Sequence, residues 1–108
     1  MKPIVIVTTT VNDRTTADRL AANAVAVRLA ACAQVSGPLT STYHWRGDVE
    51  SAVEHQVTFK TAEDRADALV AHLVEAHPYE VPEVVVVPAT GGNAAYASWV
   101  FEETRAER

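Results

Sequence analysis

The chain has 108 residues, 48% of them hydrophobic, with a formal net charge of −5. That length fits a single domain over residues 1–108 with a true core, and nine scattered Lys and Arg against fourteen Asp and Glu exclude a nucleic-acid-binding stripe. One cysteine, Cys32, excludes an intramolecular disulfide and points to a reducing, cytoplasmic setting, and no apolar run approaches the ~20 residues that a bilayer span requires.

The opening "MKPIVIVTTT" lacks the length of a secretory h-region. Its Ile4–Val7 run is β-branched throughout and predicts a strand. Asn12 and Asp13 offer N-caps for an Ala-rich helix. Its apolar face reads Leu20, Ala24, Val27 and Ala31, with Val25 and Leu29 beside it and an end near Cys32. From Val35 to Trp45 aromatic and β-branched residues predict a second strand, and Pro38 in "SGPL" predicts a bulge or a sheet edge. Arg46–Asp48 turns the chain, because "RGD" here is a hairpin turn and not an adhesion signal. Val53, Val57 and Phe59 then alternate with Glu54, Gln56, Thr58 and Lys60 as the returning strand.

Thr61 and Asp64 have the spacing of a capping box. Ala66, Leu69, Val70, Leu73 and Val74 follow as one helical stripe, which Pro78 stops. Val84–Val87 is the next strand, Gly91 and Gly92 break it, and Asn93 caps a last helix with Tyr96, Trp99 and Val100. The order β-α-β-β-α-β plus a C-terminal helix predicts an α+β, ferredoxin-like sandwich with a long β-hairpin and both crossing helices on one face of an antiparallel sheet. Ile4–Val7 and Val84–Val87 are apolar toward both faces. The uncovered face is therefore expected to be an interface between copies of the chain, or to be covered by the last helix folding back.

Chemistry-bearing residues are few. Cys32 is either a small buried hydrophobe or a soft thiolate ligand for copper or zinc. His77 and Glu80 stand three apart across a turn held by Pro78 and Pro82, with Tyr79 between them. His77 also suits a helix C-terminus as a cation. His44 is a further candidate ligand, His72 is expected in solvent, and His55 is expected to pack against the strands. No Cys-x-x-Cys, His-Glu-x-x-His or EF-hand pattern occurs, and Met1 is the one methionine, which excludes a thioether-rich copper carrier. Cys32, His77 and Glu80 carry the residue types of a thiol hydrolase, without a nucleophile elbow or Gly-rich loop. Lys60 is expected to pair with Glu80 or to bind an anion.

Taken together, "LAAC", "TSTYHWRGDVE", "FKT", "HPYEVPEVVVVP" and "GNAAYASWV" resemble the CutA divalent-cation tolerance family over nearly the whole chain. The resemblance implies a compact homotrimer similar in architecture to the PII signalling proteins, responding to metal ions without enzymatic activity. It places metal ligands at Cys32, His77 and Glu80, and a ligand pocket at Lys60, Tyr79 and Trp45. The implied cation is copper ahead of zinc, held in clefts between subunits, with no organic cofactor and an unidentified protein as a further partner. The alternative is a PII-like module binding a small metabolite or anion in the same clefts, although the turn at Arg46–Asp48 is too short for a partner-probing loop. Where the family reads "ACVN" this chain reads "ACAQ", so Gln34 carries its amide one methylene farther out.

Overall fold

The computed structural model describes residues 1–105. Strand β1 (Ile4–Val11) leads to helix α1 (Arg14–Ala26), and β2 (Cys32–Trp45) and β3 (Asp48–Ala62) form the hairpin. A 3-10 turn at Glu63–Arg65 enters α2 (Ala66–Ala76), and β4 (Val84–Pro88) and α3 (Ala94–Glu103) complete the chain. The sheet is antiparallel throughout, in the order β2-β3-β1-β4. This is the expected ferredoxin-like arrangement.

One face of the sheet carries the core. Val5, Val7 and Val11 of β1 and Val57 and Phe59 of β3 point toward Ala17, Leu20 and Ala24 of α1 and Leu69 and Leu73 of α2. The period of two in the strands and of 3.6 in the helices brings these residues together. Local signals set the element ends. Asp13 caps α1 by accepting from the Thr16 amide and hydroxyl at 3.0 and 2.7 Å. Those two bonds hold its carboxyl below the ordinary carboxylate value. Asn93 caps α3 through the Ala95 amide at 2.9 Å, and α2 ends at Ala76, two residues before Pro78.

Four local expectations are corrected. Helix α1 stops at Ala26, because Arg28 takes φ 61 and the Leu29 and Ala30 amides turn back onto the Ala24 carbonyl. That turn leaves Val27 54% exposed instead of on the buried face. Thr61 does not cap α2: it stays in β3, and Asp64 instead receives a two-pronged grip from Arg105. This guanidinium is the main reason the Asp64 carboxyl titrates below its usual range. Val74 is 48% exposed, on the outer side of α2, and His72 is half-buried.

The hairpin is longer than the sheet it belongs to. β1 pairs with His55–Ala62 of β3, so Asp48–Glu54 and their β2 partners project beyond it. The longest molecular axis is 46 Å as a result. Arg46 (φ 50) and Gly47 (φ 88) make the two-residue turn, with Trp45 and Asp48 as the last pair. The register shifts between Ser36 and Leu39, where the expected bulge falls at Gly37 and Pro38.

Gly37 has φ 130, and a Cβ there would lie 3.1 Å from the Glu54 carbonyl oxygen and 3.2 Å from His55 Cα. Neither backbone contact can swing away. Gly37→Ala is therefore expected to cost about 1–3 kcal/mol in urea unfolding. Gly91→Ala, with nothing within 4 Å of the added methyl, is expected to stay within about 0.5 kcal/mol of the parent. Equal midpoints for the two variants would remove the role assigned to Gly37.

The second sheet face is partly covered. Helix α3 lays Ala97 and Val100 over Ile4, with Ala31 and Ala89 alongside. The last helix does fold back, but only over one end. Register places Ile6 beside Val87 and Thr8 beside Val85 on this face, and Val85 and Val87 remain 47% and 49% exposed.

Candidate functional site

The segment between α2 and β4 is fastened from below. His77 is 7% exposed. Its Nε2 lies 2.8 Å from the Thr10 carbonyl oxygen at the end of β1, and its Nδ1 accepts the Tyr79 amide at 3.1 Å. A carbonyl only accepts, so Nε2 carries the hydrogen and Nδ1 the lone pair. The Tyr79 ring meets the imidazole edge-on at 4.6 Å, and its hydroxyl donates to Glu54 Oε2 at 2.8 Å. Burial, followed by the Glu54 carboxylate, pushes the Tyr79 phenol above its ordinary value, so it remains a donor. The two prolines hold a loop that β1 and β3 already grip.

Glu80 points away from this latch. It is exposed and pairs with Arg46 at the hairpin turn, 3.3 Å away. The Arg46 guanidinium lies 5.2 Å from the centre of the Trp45 ring, so the turn, Trp45 and Glu80 share one corner. The expected Lys60–Glu80 pair is absent, because each finds another partner.

A second cluster lies on the α3-bearing face. Cys32 stands directly across from Lys60, and Gln34 across from Thr58. The longer Gln34 side chain brings its Oε1 to 2.7 Å from Lys60 Nζ. From α3 the Tyr96 hydroxyl comes within 3.3 Å of the half-buried Cys32 Sγ. Burial and the thiol contact push the Tyr96 phenol up to about 12.

Strand spacing separates the two clusters. His77 is fixed at Thr10, which pairs with Gln56, whereas Cys32 pairs with Lys60. Four strand residues at ~3.3 Å each set Cys32 and His77 roughly 13 Å apart along the sheet. Lys60 and the Trp45 end of the hairpin, at Asp48, differ by twelve residues, about 40 Å. A single chain therefore joins neither Cys32 with His77 nor Lys60 with Trp45 and Tyr79. Among the described residues no three His, Cys, Asp or Glu side chains converge to hold a metal ion. Both His77 nitrogens are committed, so ligation by this imidazole would break a bond holding the loop. One chain's residues thus do not fit a resident metal. Cys32 also lacks a histidine base, so the thiol-hydrolase triad is not assembled within the chain.

Sequence reasoning missed Glu54 and Tyr96 as partners in these clusters. The alternation of β3 set Glu54 outward and Val53 inward, but Glu54 is 6% and Val53 60% exposed. At this point the hairpin has passed the end of β1, and the inward direction is set by Tyr79. Tyr96 carried no local signal for a contact 64 residues away.

The sequence pattern of the CutA1 divalent ion tolerance protein family matches residues 5–103. The chain belongs to this family. The divalent-cation tolerance protein CutA of Salmonella newport (strain SL254) is 42% identical over 101 residues, which cover 94% of this chain and 88% of that protein. The chloroplastic protein CutA 1 of Oryza sativa subsp. japonica is 37% identical over 103 residues, and the match spans only 58% of its length. In three dimensions the Cut A1 divalent cation tolerance protein of Thermus thermophilus superimposes with a TM-score of 0.91 at 35% identity, covering 94% of this chain and 99% of that one. Within the described residues no helix is long and apolar enough to cross a membrane. For a CutA1 chain, the two clusters and the half-bare sheet face are the features a function must use.

Proposed function

We propose that the chain acts as a cytoplasmic homotrimer for divalent-cation tolerance, taking up copper(II) ahead of zinc at the seams between copies, without catalysis. The observation that carries this reading is the second sheet face. There the edge strand β4 shows Val85 and Val87 beside the half-buried Ile6. The projecting hairpin exposes further apolar side chains, Tyr43 and Trp45 on one side and Val49 and Val53 on the other, at 37–66% exposure. Exposed apolar side chains on an uncovered sheet face mark association, and the family resemblance implies the threefold order. A free, half-buried thiol suits a reducing compartment.

Ligands separated within one chain can meet only between chains. Cys32 and Glu80 are the two held more loosely, by a 3.3 Å contact from Tyr96 on the sulfur and a 3.3 Å pair with Arg46 on one carboxylate oxygen. His77 would serve by holding the loop that carries Glu80. Copper(II) added to the purified oligomer is expected to bind at least tenfold more weakly after Cys32→Ala or Glu80→Ala, as read by calorimetric titration, with zinc weaker throughout. His77→Ala is expected to lower the melting temperature as well as the affinity. Copper affinity unchanged in both Cys32→Ala and Glu80→Ala would remove this ligand assignment.

A further inference from the structure

On the strands of its face Lys60 has no carboxylate beside it. The alternate positions around it on the paired strands carry Ile6, Cys32, Gln34, Thr58, Val85 and Val87. Its ammonium donates to the neutral amide oxygen of Gln34 at 2.7 Å. Among the described residues no carboxylate pairs with it. In a lone molecule water would solvate the ammonium. In the oligomer this face is covered, and a covered charge without a counter-charge is strongly unfavourable.

Resting on the oligomeric reading above, we infer that the Lys60 face binds a small oxyanion, a carboxylate or phosphate, through Lys60, Gln34, Tyr96 and Thr58. Each group suits the role. With its oxygen occupied by Lys60, the Gln34 amide keeps its NH2 as a donor. The Tyr96 hydroxyl stands over Cys32, directly across the ladder from Lys60. The Thr58 hydroxyl lies across from Gln34 on the same face. One cation and three neutral donors from β2, β3 and α3 share this face, which is the chemistry that attracts negative charge and holds oxygen atoms. It differs from the expected Lys60–Tyr79–Trp45 pocket, whose members the sheet keeps apart.

The test uses the intact oligomer, stripped of metal on a chelating resin so that no carboxylate chelator competes. Its mass is first measured by light scattering, which tests the oligomeric reading separately. Inorganic phosphate and succinate are then titrated calorimetrically. Saturable binding of at least one is expected, weakened tenfold or more by Lys60→Met, retained by Lys60→Arg, and weakened severalfold by Tyr96→Phe. If Lys60→Met does not assemble, Tyr96→Phe, which loses one hydroxyl, carries the comparison. An intact oligomer that binds neither anion overturns the inference, since the charge is then met by a carboxylate of a neighbouring copy. Binding unchanged in Lys60→Met or, where that variant does not assemble, in Tyr96→Phe overturns it too. A single-chain mass overturns the oligomeric reading and this inference with it.

Discussion

Tyr79→Phe is expected to lower stability by about 2–3 kcal/mol, a large loss for one hydroxyl. The substituted ring still packs beside His77, so what disappears is the donor to Glu54. That carboxylate is 6% exposed and would lose its 2.8 Å bond from Tyr79. A buried ionised acceptor left without a donor costs more than the bond contributed. Adding Glu54→Gln to Tyr79→Phe removes the charge and is expected to recover part of the loss. Tyr43→Phe, at an exposed tyrosine, is expected to change stability by less than about 0.5 kcal/mol. Urea unfolding at one fixed chain concentration makes the comparison, because association contributes to the measured value.

The same latch gives a pH signature. The folded Tyr79 phenol titrates above its ordinary value of 10.0. The folded chain therefore holds this proton more tightly than the unfolded chain. Its contribution is fully present below about pH 10 and is lost as pH rises through the folded value. Stability should fall on the alkaline side, and Tyr79→Phe should flatten part of that fall. Tyr96, raised to about 12, supplies an alkaline slope of the same sign that the variant retains. Identical alkaline slopes in parent and variant would contradict the burial of this hydroxyl.

The second large effect concerns assembly. Val85→Lys with Val87→Lys places two ammonium groups on the second sheet face, where Lys60 already contributes one. Each valine has about half its surface left to bury, roughly 1 kcal/mol apiece per chain, and the added charges would have to be desolvated at the interface. Association is expected to weaken at least 100-fold, at ~1.4 kcal/mol per tenfold. Val74→Lys is the control: that residue is 48% exposed, nearly the same as the other two, but lies on the outer side of α2. It is expected to leave assembly unchanged. Equal dissociation by the double variant and the control would mean that neither face is special.

The elements were legible because their causes are local. Asp13 and Asn93 precede the helices they cap, Pro78 stops α2 at once, and the Arg46–Gly47 turn lies between the strands it joins. Alternation in β3 marked Val57 and Phe59 correctly, since β1 and the helices cover them. It failed at Val53 and Glu54 because alternation assigns two sides to a strand without saying which one will be covered. Val27 was misplaced for a related reason: helical spacing continues on paper past Arg28, where the backbone has already turned.

The sites depend on partners far along the chain. His77 meets Thr10, Cys32 meets Tyr96 and Arg105 meets Asp64 across 67, 64 and 41 residues. No local period records such meetings. The "HPYEVPE" segment was recognisable as special, but its imidazole fastens the loop with both nitrogens, which residue types alone did not reveal. Only the sheet register showed that Cys32 and His77 lie on different rungs.

Covering the second sheet face by copies of the chain is the central claim, and the mass of the unmodified protein in solution tests it most directly. Light scattering across a size-exclusion peak, repeated on serial dilution, should give three times the 11.6 kDa chain mass at every concentration. A peak at 11.6 kDa, with Val85 and Val87 left in water, would contradict it.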